Sequence, residues 1–246
     1  MNNELEKELI NYSGENNDSL LKQIVEYKKK YILSKEEENA NYYWLLEHIY
    51  IVKNNYVTSF NLMKNRDFEN AWKKLDDSDI VICELLDNAE EQWLERFNIV
   101  FIKNQIGEYQ KLFPYNLFLS RESIIKKEIC SICGKEIGLR NRCNHKIGKL
   151  YMGDICFADV KEMELLSWSI VTNPHDKYCI LKVEGEDFNY GILIKALSNI
   201  DSPYKKIVVT KEYIFKEGND INNATPHTIE WLRSIQEIKY SIEIDE

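Results

Sequence analysis

The sequence predicts an α+β chain in three parts: an all-α helical bundle or helix-hairpin stack over residues 1–112, a cysteine-rich module over 113–163, and a small αβ domain over 164–246. Three observations carry that expectation. Before Pro114 there is no Pro, and Gly stands only at positions 14 and 107, so little interrupts helices there. Four of the six cysteines fall between Cys130 and Cys156. Beyond Glu164, β-branched runs alternate with turn residues. With 246 residues, 44% of them hydrophobic, the chain can bury one large core or a few smaller ones.

Helix boundaries recur through the first part. Ser34-Lys35-Glu36-Glu37 has capping-box spacing, and Asn88-Ala89-Glu90-Glu91 repeats it with Asn in the cap. Asp18-Ser19 and Asp76-Asp77-Ser78-Asp79 offer further caps. After Ser34, Tyr42, Leu45, Leu46, Ile49, Val52, Tyr56, Phe60 and Met63 return at steps of three to four residues, the apolar face of a helix, with a break expected near Asn54-Asn55. A turn at Asn65-Arg66-Asp67 leads to Phe68, Ala71, Trp72 and Leu75, and a further stripe runs through Trp93, Leu94, Phe97, Val100 and Phe101. Hairpins of such helices bury each stripe against the next, which places Trp44, Trp72 and Trp93 in a core. The stretch 60–75 has a faint tetratricopeptide pattern, but no second copy follows at a fixed period.

In the central module, Cys130-x2-Cys133, Cys143-Asn144-His145 and Cys156 offer five soft donors where a tetrahedral site needs four. Two thiolates separated by two residues grip one ion while Gly134 lets the chain turn, so zinc is the expected ion. The expected site is structural, because no Glu stands beside the ligands as in His-x-Glu deaminases or His-Glu-x-x-His proteases. The preferred ligands are Cys130, Cys133, His145 and Cys156, with Cys143 competing for the place of His145. That preference follows from reading Gly153-Asp154-Ile155-Cys156 as a hairpin that runs into a short helix over 157–163 with Asp154 as cap, a treble-clef-like arrangement. Cys83 and Cys179 sit among Ile, Val and Leu and are expected to be buried, inert thiols.

The run Cys130-x2-Cys133, Cys143-x-His145-x2-Gly148-x2-Tyr151-x-Gly153-x2-Cys156, followed by Ser167-Trp168-Ser169-Ile170-Val171-Thr172-Asn173-Pro174, resembles a zinc module found in uncharacterised bacterial and bacteriophage proteins. The resemblance covers residues 130–174 and nothing else. It implies zinc and a mobile-element or host-defence setting, and it implies no reaction.

In the third part, 164–172 and 178–183 read as strands about an Asn173-Pro174-His175-Asp176 turn, 188–200 as a helix and 206–215 as a strand. Thr225-Pro226 then caps a final helix over 229–238.

The net charge of −9 hides a basic island: residues 113–149 carry 8 Lys and Arg against 3 Asp and Glu. Lys126, Lys127, Arg140, Arg142, Lys146 and Lys149 either balance a thiolate-rich zinc site or contact phosphates. No apolar run spans a bilayer and no leader pattern opens the chain, so a cytoplasmic location is expected. The leading expectation is a zinc-binding, non-enzymatic adaptor with a protein partner, in a phage-related or anti-phage defence system. A nucleic-acid-binding module is the first alternative. An HNH-like nuclease with His145 as base is the second, and it departs from the usual pattern at Asn144 and in the placement of Asn173 and His175. His48 and His227 carry packing or surface roles in all three.

Overall fold

The computed structural model describes residues 3–14, 17–138, 143–174, 176–182, 187–215 and 235–245. Helix and strand are both present, as an α+β chain requires, and the helices dominate the N-terminal part. The chain divides into two compact units, Met1–Asn104 with Ile124–Glu164, and Gln105–Ser123 with Leu165–Glu246.

In the first unit, α1 (Asn3–Asn11), α2 (Asp18–Ser34), α3 (Glu37–Lys64) and α4 (Phe68–Asn88) pack in sequence order, followed by the short α5 (Glu91–Glu95). Lys35 ends α2 in the left-handed region, so the chain reverses within two residues. Tyr27 and Tyr31 then stack on Tyr43, and Tyr12 on Tyr50, an antiparallel match of α2 and its approach against α3. The predicted periodicity becomes the core: Leu46, Ile49, Val52, Tyr56, Leu75, Ile82 and Leu85 are fully buried, and Trp44 and Trp72 nearly so.

A buried lysine belongs to this packing. Lys53 is 1% exposed, and its Nζ donates to the carbonyls of Leu9 (2.8 Å) and Ile10 (3.0 Å) at the end of α1. The Leu9 carbonyl also accepts from Tyr12 N–H (3.3 Å) in the closing turn, and a cation at a helix C-terminus meets the negative end of its dipole. Burial holds the Lys53 amine down at about 8.

Several local expectations are corrected. α3 runs unbroken through Asn54-Asn55, because these side chains reach tertiary partners instead of competing for the helix backbone: Tyr12 Oη donates to Asn54, and Lys74 to Asn55. Ser34 and Asn88 close the preceding helices, and the caps of α3 and α5 are Glu36 and Glu90. Asn17, not Asp18, caps α2. Asp76-Asp77-Ser78-Asp79 lies inside α4, where the Ser78 hydroxyl bonds back to the Lys74 carbonyl. Asp67 does cap α4 after the predicted turn. Cys83 is exposed and Cys179 half-buried, so neither is the buried thiol expected.

The second unit holds the end of α6 (Ile99–Leu112), the helix α7 (Gly191–Ser198) and the hairpin of β5 (Ile207–Phe215) with β6 (Ile235–Ile244). Side chains of α6 complete the edge of β5: Gln105 both accepts from Ile207 N–H (2.8 Å) and donates to its carbonyl, and Glu108 accepts from Val209 N–H (2.7 Å). The expected final helix is not found over 235–238, which belong to β6; the remainder of that expectation, with Thr225, Pro226 and His227, lies outside the described residues. Ile238, Tyr240, Ile242 and Ile244 alternate, and that strand period wins over the helical reading. Of the strand expected over 178–183, the described residues 178–182 form a single bridge, Ile180 to Phe118, and residue 183 lies outside the described residues.

β1 (Phe118–Cys130) and β4 (Ala158–Val171) pair as a two-stranded ribbon. Residues 158–163 are therefore strand, and the helix expected after Cys156 is absent. β1 offers this segment a partner strand that no helix prediction could see, and Val160 and Met163 stay exposed on it.

Candidate metal centre

The centre lies in the first unit, where β1 ends and the small hairpin β2 (Leu150–Tyr151) and β3 (Asp154–Ile155) begins. Cys130 closes β1, and a tight turn follows: Gly134 N–H donates to the Cys130 carbonyl (2.8 Å), and Cys130 N–H to the Lys135 carbonyl (2.8 Å). This returns Cys133 beside Cys130, as the Cys-x2-Cys spacing requires. Ser131 ties the turn to the far side of the site, receiving Phe157 N–H on its hydroxyl (2.9 Å).

The second half is built the same way. Gly148 N–H donates to the Cys156 carbonyl (2.7 Å), and Cys156 N–H to the Lys149 carbonyl (2.9 Å), which locks Cys156 against the turn that carries His145. Tyr151 supports that turn, since its hydroxyl accepts from Lys146 N–H (2.9 Å) and its ring meets the His145 imidazole edge-on at 4.6 Å.

Cys130, Cys133, Cys143 and His145 bring their ligand atoms within 4.8 Å of one another, so they are positioned to hold a metal ion. Cys156 joins from the other side, with its sulfur 3.7 Å from Cys130 Sγ. His145 Nδ1 is also 3.7 Å from Cys130 Sγ. A tetrahedral ion with metal–sulfur bonds of about 2.3 Å sets thiolates about 3.8 Å apart, and a thiolate and an imidazole slightly closer. The Cys130–His145 spacing fits two donors of such an ion, and the Cys156 sulfur stands in contact with Cys130.

The electrostatics point the same way. Burial pushes the Cys130 thiol up, but the backbone amides of Cys133 and Ile132 and the adjacent thiols of Cys143 and Cys133 outweigh it and bring it to about 6. Cys156 is pushed up to about 11 by burial and by Cys130 beside it. On Cys143 the His145 backbone amide pulls down, while burial and the neighbouring Cys130 and Cys133 thiols prevail and raise it. One thiolate in such a cluster suppresses ionisation of the next, and a divalent cation removes the conflict.

The hairpin is seated on the helices by groups that ligand spacing does not reveal. Asn41 of α3 accepts from Gly153 N–H (2.7 Å). Asn88, at the end of α4, donates to the Gly148 carbonyl (2.8 Å) and accepts from Leu150 N–H (3.2 Å). Lys149 Nζ donates to the Asp87 carbonyl. The turn between β2 and β3 has positive φ at both Met152 (51°) and Gly153 (78°), and a Cβ at Gly153 would press on Ile32 Cδ1 at 3.2 Å. Asn88 was legible only as a helix cap; its use as a hairpin anchor depends on tertiary contact.

Of the predicted basic residues, Lys126 is paired with Glu164 (2.6 Å) and Lys149 is held by Asp87, whereas Lys127 and Lys146 are exposed. Arg140, Arg142 and His175 lie outside the described residues. Glu128 borders the pocket around the cluster, a carboxylate that motif spacing did not single out. His48 stacks on Trp44 at 3.6 Å between ring centres, and burial lowers its ionisation. Among the described residues no helix is long and apolar enough to cross a membrane. No family model, curated protein or solved structure matches the chain.

Proposed function

We propose that the centre binds zinc as a structural ion and that the chain works as a non-enzymatic adaptor for a protein partner. The observation that carries this reading is the Cys/His cluster itself, seated on α3 and α4 through Asn41 and Asn88. Thiolate and imidazole donors suit zinc, whereas magnesium and calcium want carboxylate oxygens. A set of four protein ligands leaves no open position for substrate, and His145 tied to the ion cannot serve as a general base. The chemistry the ion supplies is therefore cross-linking: its binding free energy becomes folding free energy for the module.

Exposed Leu166, Trp168 and Ile170, at alternate positions on one face of β4, support a protein partner, because clustered apolar surface marks interaction sites. The resemblance over 130–174 supports a phage-related or anti-phage defence setting, and a cytoplasmic location belongs to the same reading. Pairing of Lys126 and Lys149 within the protein weakens the nucleic-acid alternative.

Affinity capture of the tagged protein from its own cell, with and without phage infection, is the test. A recurrent protein partner, lost when Trp168 and Leu166 are changed to Ser, supports the adaptor. Recovery of nucleic acid that salt displaces, or DNA or RNA cleavage in magnesium or manganese that disappears in His145→Ala, would replace it.

A further inference from the structure

The donor cluster holds one thiol more than a tetrahedral ion uses. We propose that this surplus makes the centre redox-gated: hydrogen peroxide joins Cys130 and Cys156 in a disulfide, and the ion is released with its shared ligand. The inference rests on the metal-centre reading and adds a regulatory step to it.

Cys130 is the hub of the cluster. Its sulfur belongs to the four-donor set with Cys133, Cys143 and His145, and it also lies 3.7 Å from Cys156 Sγ. When those four residues hold the ion, Cys156 is an unligated thiol in contact with a bound thiolate. A disulfide is about 2.05 Å long, so the sulfurs need to approach by only about 1.6 Å. Cys130 ends β1 and Cys156 directly follows β3, so the disulfide would join the ends of two strands. Both side chains are 1% exposed, yet both border the pocket of about 490 Å³ that Cys143, His145 and Ile147 also line, which is ample for a peroxide.

The chemistry balances without another redox partner. The Cys130 thiolate attacks one peroxide oxygen, the O–O bond breaks, and hydroxide leaves to be protonated by solvent, giving a sulfenic acid. The Cys156 sulfur then displaces the sulfenic hydroxyl, which departs with the Cys156 proton as water, and the S–S bond forms. Two thiols are oxidised, one peroxide becomes two waters, and zinc keeps its valence. A disulfide is no longer a thiolate ligand, so Cys133, Cys143 and His145 are left holding the ion alone.

The experiment uses the full chain loaded with zinc, treated with hydrogen peroxide beside a chromogenic zinc chelator, then alkylated, digested with trypsin and read by mass spectrometry. Zinc should pass to the chelator as a disulfide appears between the peptides 128–135 and 150–161. Cys156→Ser should bind zinc with the wild-type stoichiometry and lose the peroxide-triggered release. Retention of zinc by the oxidised wild type overturns the proposal, as does a disulfide that excludes Cys156 or release from Cys156→Ser at the wild-type rate. A Cys156→Ser protein that holds no zinc also overturns it, since Cys156 is then a ligand and not the spare. Wild-type protein without zinc before oxidation defeats the metal-centre reading itself, whereas loaded wild type indifferent to peroxide defeats only this inference.

Discussion

The helices of the first unit and the hairpin that sits on them are held by different means. Leu46, Ile49, Val52, Tyr56, Leu75 and Ile82 fill the helical interior, where burial of apolar side chains supplies the main driving force. Among the described residues of 124–164, the buried positions are Cys130, Gly153 and Cys156. Two of these are thiols of the cluster and the third has no side chain. A segment with so little to bury needs another source of stability, and a bound ion is one that does not depend on size. The contrast teaches where each part is vulnerable: the helices to loss of volume, the module to loss of a ligand.

The largest effect is expected from Cys130→Ser, which removes the hub of the cluster. Structural zinc contributes on the order of 10 kcal/mol or more to small domains, so the module should lose its ion and open. Limited trypsin digestion should then cut near Lys135 and Lys149 much faster, while the far-ultraviolet circular dichroism of the helices persists. Collapse of the helical signal as well would mean that the helices also depend on the ion.

Leu46→Ala should do the converse. Removal of a fully buried side chain from α3 costs about 2–5 kcal/mol. The urea midpoint should fall by a corresponding amount while zinc content stays at the wild-type level.

Asn88→Ala tests the joint between the two regions. It leaves the Gly148 carbonyl and Leu150 N–H without their partner, at a cost of about 1–3 kcal/mol. Zinc should still bind, and competition with a chelator should show weaker retention than in wild type. Unchanged retention would mean that the seat on α4 does not position the centre.

The smallest effect is a pH dependence. Burial lowers the Lys53 amine from 10.5 to about 8. Between those values the unfolded chain holds a proton that the folded chain has released, so this residue makes stability rise with pH across that window. Comparison of urea midpoints for wild type and Lys53→Met should show the difference between them growing in favour of wild type from about pH 8 to 10.5. A constant difference would show that Lys53 is not held down by its surroundings.

How much of this was legible in the sequence follows the same division. The apolar stripes of α3 and α4 and the turn at Asn65-Arg66-Asp67 were readable because helical period and capping are local. That the Cys and His donors cluster was readable because metal coordination demands short, characteristic spacings, although spacing preferred Cys156 to Cys143 and the four mutually close donors include Cys143. What escaped was decided by partners distant in the chain. Phe157–Met163 reads as a short helix, and from Ala158 it is strand because β1 pairs with it. Ser34 and Asn88 have the chemistry of caps, but Ser34 completes α2 and Asn88 holds the hairpin. The acceptor that Asn41 offers to Gly153 leaves no trace in either local sequence.

The central claim is that one ion organises the Cys/His module, and metal content tests it most directly. Protein purified without chelator and analysed by inductively coupled plasma mass spectrometry should carry about one zinc per chain, falling to near zero in Cys130→Ser. Wild-type protein that contains no stoichiometric metal and takes up none from added zinc, while resisting trypsin across 124–164, would contradict the account.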